Sequence, residues 1–282
     1  MGSSKLPAMK TSPKYIFFTD FDGTITQRDS NDFLTDNLGY GQALRKQGNQ
    51  DVLHDRMTFR DSFQGMMDSV KTPYDKCIQT LLENIQLDVG FKAFFSWARE
   101  NNVPVVVLSS GMTPIIRALL IHLVGPEADE IQIVSNDVAP RDGKSINEEG
   151  GWQIVFHDER HVLSLLLTPF PIVLHFGHDK SLEIRPYAQL PDSERPTMFY
   201  AGDGVSDLSA AKETDLLFAK KDHDLVAYCV RESVPFTEFS DWSDILADVK
   251  RIVAGETTVQ QVSAEGVAAF KRGGSQLNTT AK

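Results

Sequence analysis

Short apolar runs recur along the chain, with segments of helical character between them. The first run, Tyr15–Thr19, is rich in aromatic residues and ends abruptly at Asp20. Runs of four to eight apolar residues that stop at polar residues are typical of buried strands. Further runs of this kind are Val103–Leu108, Ile131–Val134, Trp152–Phe156, Ile172–Phe176, Met198–Ala201 and Leu216–Ala219. Because strands alternate with helices, the pattern predicts an α/β fold with a mainly parallel sheet.

Acidic residues directly follow two of these runs. Asp20 and Asp22 come after the first run, and Asp203 and Asp207 come after Met198–Ala201. In such sheets ligands bind at the carboxyl ends of the strands, where paired carboxylates can hold Mg²⁺ or divide nucleophilic attack and proton transfer between them. Taken singly, the first pair also fits a hairpin turn and the second pair also fits a loop with a helix cap.

Two other polar features lie near predicted strand ends. Ser109, Ser110 and Gly111 follow the run that ends at Leu108, and a helix is expected directly after them. Free N–H groups at a helix N-terminus, together with serine hydroxyls, form an anion site, and capping of the helix by a serine is compatible with that role. Lys180, taken alone, also fits an ordinary solvated surface charge.

Taken in order, these motifs resemble those of the haloacid dehalogenase superfamily. The heptapeptide Asp-Phe-Asp-Gly-Thr-Ile-Thr at 20–26, Ser-Ser-Gly-Met at 109–112, a lysine at 180 and Gly-Asp-Gly-Val-Ser-Asp at 202–207 are similar to its phosphoserine-phosphatase-like branch. The resemblance covers roughly residues 15–220. It implies a Rossmann-like core with a mainly parallel sheet and a helical cap inserted after the first motif.

The resemblance also implies a role for each matched residue. Asp20 is expected to be the nucleophile that forms an aspartyl-phosphate, and Asp22 the general acid and then the base. Mg²⁺ is expected on Asp20, on the backbone carbonyl of Asp22 and on Asp203, with Asp207 in support. The residues expected to bind the phosphoryl oxygens are Ser109, Ser110, Gly111 and Lys180, and Lys180 also neutralises the charge of the nucleophile. Phosphoryl transfer depends mainly on positioning and charge neutralisation, which this set supplies.

A helical cap is expected at residues 28–100, which have few β-branched runs and an amphipathic pattern through Phe59 and Phe63. Thr72-Pro73 predicts the start of another helix, with the threonine as N-cap. The core is expected at 14–27 and 101–253, after a flexible leader at 1–13 and before a C-terminal helix and disordered tail at 254–282. Within the cap, the candidates for substrate contact are Asp29, Arg56 and Arg60. Each of them also fits a plain surface charge.

Two features depart from the branch. Ser110 stands where glycine is commoner, which adds a side chain close to the expected phosphate. The stretch from His161 to His175 is longer and more apolar than the usual approach to the lysine. It is either a packing element in its own right or sequence from a mispredicted gene model.

Composition restricts the class of partner. The net charge of −11 disfavours nucleic acid and anionic membrane as partners, and no apolar run reaches the ~18 residues that cross a bilayer. The two distant cysteines, Cys77 and Cys229, fit small buried side chains in a reducing cytoplasm. A monomer or a homodimer is expected.

The sequence therefore predicts a Mg²⁺-dependent phosphatase that acts on a small phosphorylated metabolite. Polyol or sugar phosphates, phosphoserine and a methionine-salvage ketopentenyl phosphate all stay open as substrates. A phosphotransferase of the same fold is the first alternative, and a non-catalytic phosphate-binding regulatory protein is an alternative of another class.

Overall fold

The structure, a computed structural model, describes residues 6–54, 56–158 and 179–272. The predicted strand at 172–176 and the apolar stretch at 161–175 lie outside the described residues, as does the end of the predicted tail after residue 272. Among the helices of the described part, none is long and apolar enough to cross a bilayer.

Seven strands form one sheet with the order β4-β3-β2-β1-β5-β6-β7. They are β1 (Tyr15–Thr19), β2 (Val105–Met112), β3 (Gln132–Pro140), β4 (Trp152–Val155), β5 (Thr197–Gly202), β6 (Leu216–Lys220) and β7 (Thr237–Phe239). The pairs β1–β5, β5–β6 and β6–β7 are parallel, whereas β3 and β4 are antiparallel. The predicted α/β class with a mainly parallel sheet is confirmed.

Eleven α-helices lie in the described residues. They are α1 (Ser30–Leu38), α2 (Gln42–Leu53), α3 (Phe59–Ser69), α4 (Tyr74–Asn84), α5 (Phe91–Glu100), α6 (Thr113–Leu123), α7 (Lys180–Ala188), α8 (Leu208–Ala211), α9 (Asp224–Glu232), α10 (Trp242–Val253) and α11 (Val259–Arg272). Short 3-10 turns occur at Pro7–Met9, Pro126–Glu130 and Val205–Asp207.

The chain divides into two compact units. The first unit consists of Met1–Asp20, Asp88–Val106 and Lys180–Lys282, and the second unit consists of Phe21–Leu87 and Val107–Asp179. The second unit combines helices of the predicted cap with β3, β4 and α6. The division into a core and a cap at 28–100 therefore stays a prediction.

Aromatic side chains fill the core of the first unit. Phe17, on β1, is fully buried, and its ring lies 4.7 Å from that of Phe94 and 5.4 Å from that of Trp242, measured between centroids. Such offset and edge-on contacts add to the free energy gained by burying large apolar surfaces. This packing holds β1 in place, and its last residue, Thr19, leads directly into Asp20.

The second unit is held together by helices and by the β3–β4 hairpin. The Tyr74 ring of α4 lies edge-on to Trp152 of β4 at 5.4 Å between centroids. The indole N–H of Trp152 donates to the carbonyl of Thr72 at 2.9 Å, and Asp68 of α3 pairs with Arg141. Helices α1, α2 and α3 pack on one another, which positions the first turn of α1.

Three local predictions are wrong. The second strand does not end before Ser109. It continues through Gly111 to Met112, and in this extension the Ser110 carbonyl accepts a 2.7 Å hydrogen bond from Asn136 Nδ2. The third strand runs past Val134 to Pro140, since it pairs with β4. Helix α4 has Pro73, and not Thr72, at its N-cap position.

The predicted flexible leader is also partly structured. Pro7–Met9 form a 3-10 turn in which Ala8 and Met9 are buried. The Ala8 amide donates to the Tyr187 hydroxyl at 3.3 Å. The buried side chains of Ala8 and Met9 and the hydrogen bond to Tyr187 hold this segment in place. Composition alone did not indicate these contacts.

Candidate active site

Three carboxylates meet at the ends of two neighbouring strands of the first unit. β1 and β5 run in parallel register, with Thr19 opposite Ala201, and the Asp20 amide donates to the Ala201 carbonyl at 2.9 Å. The carboxyl ends of the two strands are adjacent, so Asp20 and Asp203 lie at the same edge of the sheet. One carboxylate oxygen from each of Asp20, Asp203 and Asp207 lies within 4.8 Å of the others.

Asp207 is the most completely bonded of the three. Its Oδ1 accepts from Lys180 Nζ at 2.7 Å and from the Tyr200 hydroxyl at 2.5 Å. Its Oδ2 accepts from the amides of Asp203 and Gly204, each at 3.0 Å. With no exposed surface and four donors, this carboxylate is fixed in orientation. It also fixes the loop that carries Asp203.

Glycine at 202 is required by this close approach. A Cβ there would lie 2.4 Å from the carboxyl carbon of Asp207, which is too short for a non-bonded contact. Gly202 therefore lets the end of β5 pass directly over the Asp207 side chain.

Lys180 is a fully buried ammonium between two carboxylates. Nζ lies 2.8 Å from Asp20 Oδ1 and 2.7 Å from Asp207 Oδ1. Burial alone would lower the pKa of Lys180, but the two carboxylates outweigh burial and raise this pKa above its ordinary value. Lys180 is therefore charged at neutral pH.

The charge balance of the cluster favours a divalent cation. Burial and the neighbouring carboxylates of Asp207 and Asp203 raise the pKa of Asp20, although Lys180 opposes the shift. Three carboxylates face one ammonium, and carboxylate oxygens are the ligands that Mg²⁺ prefers. The residues of the first unit therefore fit a magnesium ion. His223 Nδ1 also lies 3.2 Å from Asp203 Oδ2.

Asp22 lies in the second unit, where α1 holds it. Its Oδ1 accepts from the Ser30 amide at 2.7 Å, and its Oδ2 accepts from Asn31 Nδ2 at 2.9 Å. Asp29 caps the same helix, because its Oδ1 accepts from the amides of Asn31 and Asp32 at 2.7 and 2.9 Å. The proposed substrate contact of Asp29 stays a prediction, since capping already accounts for a carboxylate here.

The segment Ser109–Gly111 lies close to Asp22 within the second unit. A Cβ at Gly111 would lie 3.1 Å from Asp22 Oδ2 and 3.2 Å from Ser109 Oγ. The absence of a side chain at Gly111 is what allows this approach. The Gly111 amide, expected to face phosphate, donates to Ser109 Oγ at 2.9 Å.

The two cap arginines have partners of different kinds. Arg56 is about half exposed and pairs with Asp51 at 2.7 Å, which is an ordinary surface ion pair. The guanidinium of Arg60 lies 4.0 Å from the centroid of the buried Phe156 ring. Substrate contact by either arginine stays a prediction.

Sequence reasoning missed three residues of these clusters. Tyr200 lies in an apolar strand and looks like a core residue, yet its hydroxyl bonds Asp207. Asn31 follows a cap residue and looks like part of the capping sequence. Asn136 donates to Ser110, and its Oδ1 accepts from the His157 amide at 2.8 Å. Only the polarity of Asn136 at a strand end could have indicated its role.

Comparisons with known proteins show to which family the chain belongs. A family model of haloacid dehalogenase-like hydrolases matches residues 17–212. The chain is 50% identical over 236 residues to "Pdp3-interacting factor 1" of Schizosaccharomyces pombe, which covers 83% of this chain and 94% of that protein. It is 48% identical over 256 residues to the polyol phosphate phosphatase PYP1 of Saccharomyces cerevisiae, which covers 88% of this chain and 98% of that protein.

More distant relatives include a further phosphatase sequence and a solved phosphatase structure. A 2-hydroxy-3-keto-5-methylthiopentenyl-1-phosphate phosphatase of Bacillus cereus is 25% identical over 237 residues, which covers 84% of this chain and 96% of that protein. A solved structure of a substrate-bound phosphoserine phosphatase complex aligns with a TM-score of 0.52 at 16% identity. That alignment covers 77% of this chain and 90% of the other, and it shows a shared fold. The chain therefore belongs to the haloacid dehalogenase-like hydrolases, as its ordered motifs predicted.

Proposed function

We propose that this enzyme hydrolyses the phosphate monoester of a small metabolite through an aspartyl-phosphate on Asp20, with Mg²⁺ as its cofactor. The chain is a phosphatase, the reaction class of its relatives. The observation that carries the proposal is the buried Lys180, which joins Asp20 to Asp207 beside Asp203. An ion pair of this kind is expensive to bury, so its position next to a nucleophile candidate supports a catalytic role.

In the first step, an oxygen of Asp20 attacks phosphorus and the bond from phosphorus to the ester oxygen breaks. Asp22 gives its proton to the departing oxygen, which leaves as an alcohol. Lys180 favours the ionised form of Asp20 and neutralises charge during the attack. When bound to Asp20 and Asp203, with the Asp22 carbonyl as a further ligand, Mg²⁺ supplies Lewis-acid stabilisation of negative charge.

In the second step, Asp22 accepts a proton from water, whose oxygen attacks the phosphorus of the aspartyl-phosphate. The bond between phosphorus and Asp20 breaks, so that inorganic phosphate leaves and the carboxylate is restored. The contacts of Asp22 with Ser30 and Asn31 support this double use, since they fix the carboxylate and are compatible with both protonation states.

Polyol phosphates are the substrates we favour. The 48% identical relative is named for that activity and covers most of this chain, whereas the ketopentenyl phosphate phosphatase is only 25% identical. We place the enzyme in the cytoplasm, which its two buried free cysteines support, and we expect a monomer or homodimer.

The proposal is tested by phosphate release from a panel of polyol, sugar and ketopentenyl phosphates and phosphoserine, with Mg²⁺ and with excess EDTA. We expect turnover only with Mg²⁺, and none for Asp20→Asn. Asp22→Asn should lose ~10²- to 10⁴-fold on alkyl phosphates. It should form a phosphoryl adduct on Asp20 with an aryl phosphate, whose leaving group needs no proton.

Asp192→Asn is the matched control, because Asp192 is an exposed aspartate outside the cluster. Normal turnover by Asp20→Asn, or full activity in EDTA, would contradict the mechanism. Transfer of phosphate to an added alcohol without release of free phosphate would indicate a phosphotransferase.

A further inference from the structure

Asn31 has a buried side-chain amide, and only its NH₂ group makes a hydrogen bond within the described part of the protein. Its side chain is 4% exposed, and its Nδ2 donates to Asp22 Oδ2 at 2.9 Å. Its Oδ1 is buried and has no hydrogen-bond partner among the residues that the structure describes. Buried polar atoms are nearly always paired, so an unpaired one beside a proposed general acid points to a ligand.

We propose that Asn31 determines specificity by accepting, through Oδ1, a hydrogen bond from a hydroxyl group of the substrate's leaving alcohol. Through Nδ2 the same residue positions Asp22. The proposal rests on the proposed phosphatase function and deepens it, because it selects phosphate esters of hydroxylated alcohols over plain alkyl phosphates.

The orientation of the amide follows from its neighbour. Asn31 Nδ2 donates to Asp22 Oδ2, so the carbonyl oxygen on the other branch of the same amide points away from Asp22. The backbone of Asn31 is fixed as well. Its amide donates to Asp29 Oδ1 at 2.7 Å, and its carbonyl accepts from Thr35 Oγ1 at 2.9 Å. The acceptor is therefore held in one place by the first turn of α1.

The position of Asn31 indicates which part of the substrate it meets. Asp22 must reach the ester oxygen of the leaving group to protonate it. The Asp22 oxygen that accepts from Asn31 would also lie 3.1 Å from a Cβ at Gly111, within Ser109–Gly111, the segment predicted to bind phosphate. A group bonded to Asn31 Oδ1 is consequently close to the ester carbon. The hydroxyl concerned is one on a carbon near the phosphate.

The chemistry of the acceptor restricts its ligand to a donor group. Asn31 Oδ1 can only accept, so its ligand must carry an O–H or N–H group. A hydroxyl is the donor that the favoured polyol phosphates carry. Phosphoserine, which carries an ammonium group, therefore serves as a comparison substrate.

The test compares kcat/KM for glycerol 1-phosphate and for propyl phosphate, which has the same carbon chain without hydroxyls. We expect the wild-type enzyme to prefer glycerol 1-phosphate by ~10-fold, the size of effect of one well-placed hydrogen bond. Asn31→Leu, similar in volume and without polar atoms, should lose this preference. Because Asp22 loses the donor on its Oδ2, kcat should also fall more for both alkyl esters than for p-nitrophenyl phosphate.

Asn37→Leu is the matched control, since Asn37 lies exposed on the same helix and bonds only the Phe33 carbonyl at 2.8 Å among the contacts described. It should keep the wild-type preference. Asn31→Ala repeats the measurement with a smaller side chain in case the leucine variant fails to fold, with thermal unfolding as the check.

Equal losses on glycerol and propyl phosphates, or retention of the preference by both Asn31 variants, would overturn the role of Oδ1. Equal losses on aryl and alkyl esters would overturn the positioning of Asp22. A wild-type enzyme that releases phosphate from none of the esters would instead contradict the phosphatase function itself. The two failures are therefore distinguishable.

Discussion

The carboxylate cluster of the first unit (Asp20, Asp203 and Asp207) and the polar residues around Asp22 in the second unit differ in how fully their side chains are hydrogen-bonded. Asp207 accepts four hydrogen bonds, from Lys180, Tyr200 and two backbone amides, and has no exposed surface. Around Asp22, by contrast, Asn31 Oδ1 and Ser110 Oγ are buried without a partner among the described residues.

This difference suggests how each cluster is completed. The first unit uses protein donors to orient its carboxylates before any ligand arrives, and what it lacks is positive charge. The second unit has polar atoms that ligand groups can satisfy. Preorganised charge is the usual source of catalytic power, whereas unsatisfied acceptors and donors provide discrimination between ligands.

The largest effect that this comparison predicts is a loss in the free energy of unfolding when Asp207 is replaced by alanine. The substitution leaves four donors without this acceptor, of which the Lys180 ammonium and the Tyr200 hydroxyl are fully buried. It also removes one partner of the buried Lys180 ion pair. Breaking a buried pair typically costs about 3–5 kcal/mol. We therefore expect the free energy of unfolding in saturating Mg²⁺ to fall by about 3 kcal/mol, as measured by urea denaturation.

The same measurement on Asp192→Ala and Asn31→Ala sharpens the contrast. Asp192 is exposed, and among the contacts described the Asn31 side chain makes only one hydrogen bond, to Asp22. Each should change stability by about 1 kcal/mol or less. A loss for Asn31→Ala as large as that for Asp207→Ala would break the distinction between the two clusters.

A smaller effect is expected on ligand binding, from Ser110→Gly. The unpartnered Ser110 Oγ is a donor in the proposed phosphate-binding segment. A hydrogen bond to a charged group is worth about 1.5–3 kcal/mol, so the inhibition constant of inorganic phosphate should rise at least ~10-fold, measured in steady-state kinetics. Stability should change little, because no described hydrogen bond of that hydroxyl is lost.

Ser193→Gly is the control, because Ser193 is exposed. An unchanged inhibition constant in Ser110→Gly would mean that Ser110 replaces glycine without taking part in phosphate binding. A large loss of stability would mean that the hydroxyl has a structural role.

The features that could be predicted from sequence are those with a local signal, such as an apolar run that ends at an acidic residue. The run Tyr15–Thr19 is apolar on both faces because β1 is central in the sheet, and the change to Asp20 marks the strand end. Neighbouring parallel strands end together, so Asp20 and Asp203 could be expected at one edge. The family and the fold class followed from these motifs in order.

The parts that could not be predicted depend on contacts between distant segments. The strand β2 continues through Ser109–Gly111, where Asn136, far along the chain, donates to the Ser110 carbonyl. Tyr200 looks like core in an apolar strand, and only the fold brings its hydroxyl to Asp207. Polar residues that finish a hydrogen-bond network have no local signature, since their partners lie elsewhere in the sequence.

The smallest effect concerns the two thiols, one in each unit. Cys229 lies on α9 of the first unit and Cys77 on α4 of the second unit, and both are fully buried. Burial raises the pKa of each thiol to about 12, with a smaller contribution from Asp207 at Cys229 and from Asp75 at Cys77. The raised pKa favours the neutral thiol in the folded state, so this contribution to stability is complete below pH ~9 and is lost towards pH ~12.

Alkylation of these thiols reports separately on the two units. At pH 8 we expect almost no reaction of either thiol in the folded protein, because thiolate is scarce and access requires opening. Since Mg²⁺ binds the cluster of the first unit in our proposal, it should slow alkylation of Cys229 more than that of Cys77. Mass spectrometry of iodoacetamide adducts, followed over time with Mg²⁺ and with EDTA, measures both rates in one sample. Equal protection of the two thiols would mean that the units open together, and that the contrast between their clusters does not extend to their stability.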